Sequence, residues 1–109
     1  MSADNRRHSR VRVRWPVIVQ TPNGLVDGKT ENLALSGAFI RLRGHLVSKQ
    51  NLQMVLDVKG RFVLCTAQVV WSDERDSSNQ RKSLGIGVRF TTLMLCDREF
   101  LYREISGRL

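Results

Sequence analysis

From residue 11 onward the chain alternates. Val11, Val13, Trp15, Val17 and Val19 take every second place, with Arg12, Arg14, Pro16, Ile18 and Gln20 between them. Period two with β-branched residues marks a strand that buries one face and wets the other. The pattern returns at 52–59, where Leu52, Met54, Leu56 and Val58 alternate with Gln53, Val55, Asp57 and Lys59. It returns again at 62–72, whose inward face reads as Val63, Cys65, Ala67, Val69 and Trp71, and at Ile86, Val88 and Phe90. Two weaker strands fill the gap, one over 26–33 interrupted by Gly28, the other over 38–42. Turns are expected at Thr21-Pro22-Asn23-Gly24, at 32–37 and at Lys59-Gly60, where Pro, Asn and Gly supply the special dihedrals. Residues 46–50 read as a polar connection, and 72–83 as an exposed flexible loop carrying Asp73, Glu74 and Asp76. Pro16 cannot donate to a ladder, which predicts an edge or a bulge there.

Only from about Cys96 does the spacing become helical. Leu101, Ile105 and Leu109 recur every four residues with Phe100 beside them, and Asp97 and Glu99 suit a first turn. Six short strands and one terminal helix predict a mainly β fold: a small six-stranded antiparallel β-barrel with a C-terminal α-helix plugging its open end. The chain of 109 residues makes one domain. Residues 1–10 carry almost no large apolar side chain, so they read as a flexible, arginine-rich basic tail, and 11–109 as the barrel domain.

The formal charge of +8 makes anionic partners the first expectation, and leaves nucleic acid, a nucleotide or an acidic protein surface open. No apolar leader and no membrane-length run is present, and two cysteines do not make a disulfide framework. Those features predict a cytoplasmic protein without membrane insertion, its Cys65 and Cys96 reduced and at least partly buried. No catalytic set stands out. His8 and His45 have no carboxylate at triad or metal spacing, and no Gly-rich phosphate loop opens a helix. A binding module without enzymatic activity, metal or cofactor is the better class.

Two short motifs stand apart from the core pattern. Arg6 and Arg10 are four residues apart in the tail, with Arg7 and His8 between them. Downstream, Asn32, Ala34, Ser36 and Gly37 form a polar turn between two apolar segments. Arginine presents a planar fork of donors that fits phosphate oxygens or the O6 and N7 acceptors of guanine. Arg12 and Arg14 alternate with valines and read as a plain solvent face. Asn32 could bond its own backbone, and Gly37 could be required for a positive φ. Trp15 and Trp71 read as core or rim packing.

Arg6-x-x-x-Arg10 followed by Asn32-x-Ala34-x-x-Gly37 resembles the paired signature of PilZ domains, bacterial receptors for cyclic di-GMP. The likeness continues in Ala67-Gln68-Val69-Val70-Trp71 and in Leu84-Gly85-Ile86-Gly87-Val88-Arg89-Phe90, and so covers nearly the whole chain. The resemblance implies a six-stranded barrel and cyclic di-GMP as ligand. It implies a site of Arg6, Arg7, Arg10, Asn32, Ala34, Ser36 and Gly37, with the tail closing over the dinucleotide and an effector protein, here unknown, reading the result. One position departs: Ala34 stands where the family signature has serine, and Ser36 could replace part of the missing hydroxyl. Two other readings stay open, a PilZ-fold adaptor that has lost its ligand and non-specific nucleic-acid binding through the tail.

Overall fold

In the computed structural model, residues 9–22, 24–44, 51–76 and 82–109 are described. Six strands follow one another: β1 (Pro16–Thr21), β2 (Gly24–Leu33), β3 (Gly37–Arg43), β4 (Asn51–Val58), β5 (Arg61–Asp76) and β6 (Lys82–Leu93). One helix, α1 (Leu95–Ser106), completes the chain. Every strand pairing is antiparallel, in the order β1-β2-β3-β6-β5-β4, and β4 pairs back onto β1 to close a barrel. The expected fold class is therefore observed. Residues 1–8, which hold Arg6, Arg7 and His8, lie outside the described residues, as do His45 and the 46–50 connection.

The alternation explains the core. Val17, Val19, Ile40, Leu42, Met54, Leu56, Val58, Val63 and Ile86 all turn inward and are almost fully buried. At Lys59-Gly60 both residues take positive φ, 56° and 91°, which twists a two-residue hairpin with the hand of its strands. The Gly60 N–H donates to Asp57 Oδ1 at 2.8 Å, fixing the turn from its near side.

Several expectations give way to closure of the barrel. Pro16 marks no edge, because a closed barrel has none. It opens β1 opposite Lys29, one place before the register with β4 begins at Val17. The first strand therefore starts later than residue 11, although Val11 and Val13 are still buried. Gly28 does not interrupt β2. A Cβ there would stand 2.3 Å from the Arg41 carbonyl oxygen, so glycine is what lets β2 and β3 approach. The 72–83 segment is largely strand: β5 runs to Asp76 and β6 starts at Lys82. Trp71 was expected inward but faces out. Val70 has no partner on β6, and this extra residue reverses the alternation after Val69.

The helix caps one end through Leu101 and Ile105, which join the barrel core, with Phe100 half-buried beside them. Leu109 does not continue that row; it follows the helix and is exposed. Cationic side chains tie the helix and the residues after it to the barrel. Arg61 Nη2 lies 3.0 Å from Asp97 Oδ1, with its guanidinium 4.2 Å from the centre of the Phe100 ring. Glu104 Oε1 accepts from Arg108 Nη1 at 3.0 Å and meets Lys59 Nζ at 3.3 Å. Arg108 in turn lies 5.2 Å over the Trp15 ring. Of the two free thiols, Cys65 is buried, whereas Cys96 is exposed rather than partly buried. Burial, with the nearby Asp97 charge in second place, pushes the Cys65 thiol up to about 12 and keeps it neutral.

The Arg108 hydrogen bond and the Lys59 charge lower the Glu104 carboxyl below its ordinary 4.5. A carboxylate depressed in the folded state stabilises fully above its unfolded pKa, and that contribution fades as pH falls through the folded one. Glu104→Gln should therefore lower the melting temperature at neutral pH and flatten its dependence on pH below about 4.5. Thermal melts of both proteins from neutral to acid pH check this; parallel curves would show that Glu104 does not anchor the helix.

Candidate functional site

The polar turn is built by a bulge. Thr30 pairs with Ile40 and Asn32 with Phe39, leaving Glu31 as an extra residue on β2. Strict alternation cannot bury both Thr30 and Leu33, yet both are fully buried. The extra residue resolves this by turning Glu31 and Asn32 together toward the outside. Beyond Leu33 the Ala34 N–H donates to the Gly37 carbonyl at 2.8 Å, and the Gly37 N–H to the Ala34 carbonyl at 3.3 Å. Leu35 and Ser36 form the tip. The Phe90 N–H donates to the Ser36 carbonyl at 2.9 Å, which ties the turn to β6.

Gly37 has no positive φ. Its reason is proximity: an added Cβ would lie 2.0 Å from the Val88 carbonyl oxygen. Ala34 is buried, and its methyl presents no surface. Ser36 is exposed.

The segment before β1 is held along this turn. Val11 and Leu33 exchange two backbone hydrogen bonds of 2.9 Å each. The Thr30 hydroxyl accepts from the Trp15 N–H at 2.9 Å and donates to the Val13 carbonyl, while the Thr30 N–H donates to the Trp15 carbonyl at 2.9 Å. That places Arg10 opposite Asn32, and Arg10 Nη1 donates to Asn32 Oδ1 at 3.0 Å. Asn32 thus bonds across the site and not to its own backbone. One member of each short motif is in direct contact; Arg6 and Arg7 lie outside the described residues.

From Asn32 a row crosses the outer face of the barrel. Asn32 pairs with Phe39, Phe39 with Gly87, and Gly87 with Trp71. The Phe39 and Trp71 ring centroids are 5.3 Å apart, and the Arg41 guanidinium stands 5.6 Å from the Phe39 centroid. Glycines make room for them. A Cβ on Gly85 would come within 2.9 Å of Phe39 Cζ and 3.0 Å of Arg41 Nη1, and one on Gly87 within 3.5 Å of Trp71 Cβ. Arg41 Nη1 is buried against this surface without a hydrogen-bond partner, while Nη2 reaches Glu31 at 3.4 Å.

Two open clefts flank the row. One, of about 600 Å³, is lined by Arg12, Arg14, Glu31 and Asn32. The other, of about 800 Å³, is lined by Arg14, Lys29, Arg41 and Arg43 together with Asp27 and neighbouring backbone. Arg12 and Arg14 do face solvent, and neither they nor Lys29 has an ion partner among the described residues. The outer face is a cationic surface beside an aromatic pair, suited to a planar anion. Among the described residues no group of histidine, cysteine, aspartate or glutamate could hold a metal ion. Sequence reasoning missed Thr30, Phe39 and Arg41; the alternate glycines at 85 and 87 were the signal for the bare strand beneath the aromatic pair.

Removing the Thr30 hydroxyl strands the Trp15 N–H and the Val13 carbonyl. Thr30→Val should cost about 1–3 kcal/mol. Gly37→Ala, with no room against Val88, should cost about as much or more. Arg10→Ala removes one exposed hydrogen bond and should stay within about 0.5 kcal/mol of the wild type. Urea denaturation of the three variants checks the order; a strongly destabilised Arg10→Ala would make Arg10 a structural residue.

The profile of the PilZ domain matches residues 4–107 of the chain. No curated protein matches the sequence. Among solved structures, the cyclic di-GMP-bound PilZ domain of YcgR from Escherichia coli superposes with a TM-score of 0.75 at 17% identity, over 96% of this chain and 92% of that one. The Bacillus subtilis inhibitor of motility MotI gives 0.77 at 15% identity, over 96% of this chain and 51% of that one. Apo MrkH of K. pneumonia gives 0.73 at 12% identity, over 99% and 52%. The chain thus spans about half the length of the last two.

Proposed function

The chain belongs to the PilZ domain family, and we propose that it is a receptor for cyclic di-GMP that passes the binding event to a partner protein. The observation that supports this is the hydrogen bond from Arg10 to Asn32, which joins one residue of each short motif on an outer face of the barrel. The residues there fit a guanine dinucleotide. Arg10 offers a guanidinium fork to guanine O6 and N7 or to phosphate, and Arg6 and Arg7, on the same stretch, add charge to it. Asn32 keeps an amide for a base edge, and Ser36 keeps an exposed hydroxyl. Gly37 serves indirectly, letting the turn close against Val88 of β6. Phe39 and Trp71 give π faces beside the guanidinium of Arg41, where a base can stack.

Mechanistically, Arg10 would exchange its Asn32 contact for the ligand, and the residues before it would close over the dinucleotide. Ordering of the tail then changes the surface that a partner meets. The domain has no enzymatic role in this reading, and its cytoplasmic setting follows from the ligand. A second reading rests on one observation. Ala34 is buried and offers no polar group where the family signature has serine, which favours an adaptor that keeps the fold without the ligand.

Calorimetry with cyclic di-GMP separates the two. The wild type should bind saturably and prefer cyclic di-GMP over cyclic di-AMP, since adenine lacks the O6 acceptor. Arg10→Ala should weaken binding about tenfold to a hundredfold. Ala34→Ser should tighten it by severalfold to about a hundredfold, a restored hydrogen bond being worth about 0.5–3 kcal/mol. If neither the wild type nor Ala34→Ser binds, the adaptor reading replaces the receptor. Equal affinity for the two dinucleotides would point to plain phosphate attraction.

A further inference from the structure

The Asn32–Gly37 turn has a second side. Its tip residue Leu35 looks away from Asn32 and lines an open groove of about 390 Å³ with Leu95, Arg98, Glu99, Tyr102 and Arg103 of α1. Leu95, Arg98, Glu99 and Tyr102 fall at i, i+3, i+4 and i+7, so they form one row along the helix, beside the buried face of Asp97, Leu101 and Ile105. Leu95 is 71% exposed and Tyr102 58%, and Met94 beside them is 64% exposed. Scattered apolar side chains are ordinary on a surface, but these are contiguous and concave.

The charges around the groove are uneven. Neither Arg98 nor Arg103 has a side-chain hydrogen bond or an ion pair among the described residues, in contrast to Arg61 and Arg108 on the other side of the helix. Against the single carboxylate of Glu99, the two guanidiniums leave the rim of this groove net positive, and an apolar floor with such a rim fits an apolar anchor residue flanked by carboxylates. We propose that this groove is the output surface of the domain, taking an acidic amphipathic segment of a partner protein. The segment would seat a large apolar side chain between Leu35, Leu95 and Tyr102 and place Asp or Glu against Arg98 and Arg103.

Its place explains how the two sites communicate. Leu35 lies within the turn that carries Asn32 and Gly37, three residues from the Arg10 contact. The Phe90 N–H donates to the Ser36 carbonyl and the turn is closed by the Ala34–Gly37 pair, so the tip is a short braced segment continuous in chain with Asn32. A ligand that displaces Arg10 from Asn32 and shifts the turn also shifts one wall of the groove. This last step rests on the receptor reading above; the docking surface does not.

The test uses the full chain, labelled with nitrogen-15, and two synthetic amphipathic peptides with leucine at every third or fourth position. One carries glutamate between the leucines, the other lysine. The acidic peptide should produce saturable shifts in the amides of Leu35, Leu95, Arg98, Tyr102 and Arg103, and the basic one should not. Reversing both arginines, Arg98→Glu with Arg103→Glu, should weaken the acidic peptide by about tenfold or more, since like charges then oppose it. Leu95→Glu should do the same; all three positions are exposed, so melting temperatures should hold. Adding saturating cyclic di-GMP should change the affinity for the acidic peptide about threefold or more.

No saturable shift at the groove overturns the proposal, as does equal binding of both peptides or indifference to the charge reversal. Shifts at the groove that grow with protein concentration alone would make a second copy of this chain its occupant. If cyclic di-GMP fails to bind while the acidic peptide still does, the receptor reading falls and the docking surface stands.

Discussion

The hydroxyl of Thr30 is the contact on which the site depends. It is a fully buried polar side chain in a core otherwise almost wholly apolar, and it is satisfied from both directions by the backbone at Val13 and Trp15. A buried hydroxyl without partners costs more than its hydrogen bonds contribute, so the position is stable only with the entering chain in place. That fixes the path of residues 11–15 along β2. Once Val11 has bridged to Leu33, Arg10 has little freedom except to stand over Asn32. An interaction in the barrel wall thereby sets where the arginine motif meets the turn.

The strands were legible because period two needs nothing but burial on one face. Six strands and then one helix follow one another in the expected order, although β1 opens later than residue 11 and β5 and β6 run into the segment read as a loop. What the pattern could not supply was its own interruptions. Glu31 and Val70 are each an extra residue in a ladder, and a bulge has no composition that marks it in a single sequence. Yet these two irregularities form the outer face: one turns Asn32 outward, the other Trp71. Strict alternation after Val69 put Trp71 inside, and it is the bulge that overrules it. The ends of β5 and β6 were missed for a different reason. Charged residues at 73–76 look like loop until a partner strand supplies their backbone hydrogen bonds.

The candidate site was legible in its residue types and not in its geometry. The spacing of Arg6 and Arg10 and the turn at 32–37 were visible, but a direct Arg10–Asn32 contact depends on Thr30, which carries no motif of its own. For Gly37, read as a site residue with a positive φ as the alternative, the structure shows a steric reason instead: its place is set by the carbonyl of a strand far along the chain. Gly85 and Gly87 illustrate the converse. Glycine at every second position on a strand leaves one face bare, and a bare face allows rings and guanidiniums to lie flat on the barrel.

Charge closes the argument about direction. The chain carries a net charge of +8 and has arginines both on the site side and along the groove, so electrostatic attraction alone would not tell one anionic partner from another. Discrimination must come from shape: a trough with aromatic faces on one side of the turn, an apolar groove on the other. The turn between them is short, closed by its own hydrogen bonds and fastened to β6, so in the proposed receptor it is the element that would couple its two sides. Coupling of that kind is reciprocal. Whatever factor the dinucleotide imposes on a partner in the groove, the partner must impose on the dinucleotide. On the receptor reading, the affinity for cyclic di-GMP of the free domain would be one limit and that of the partner-bound domain the other.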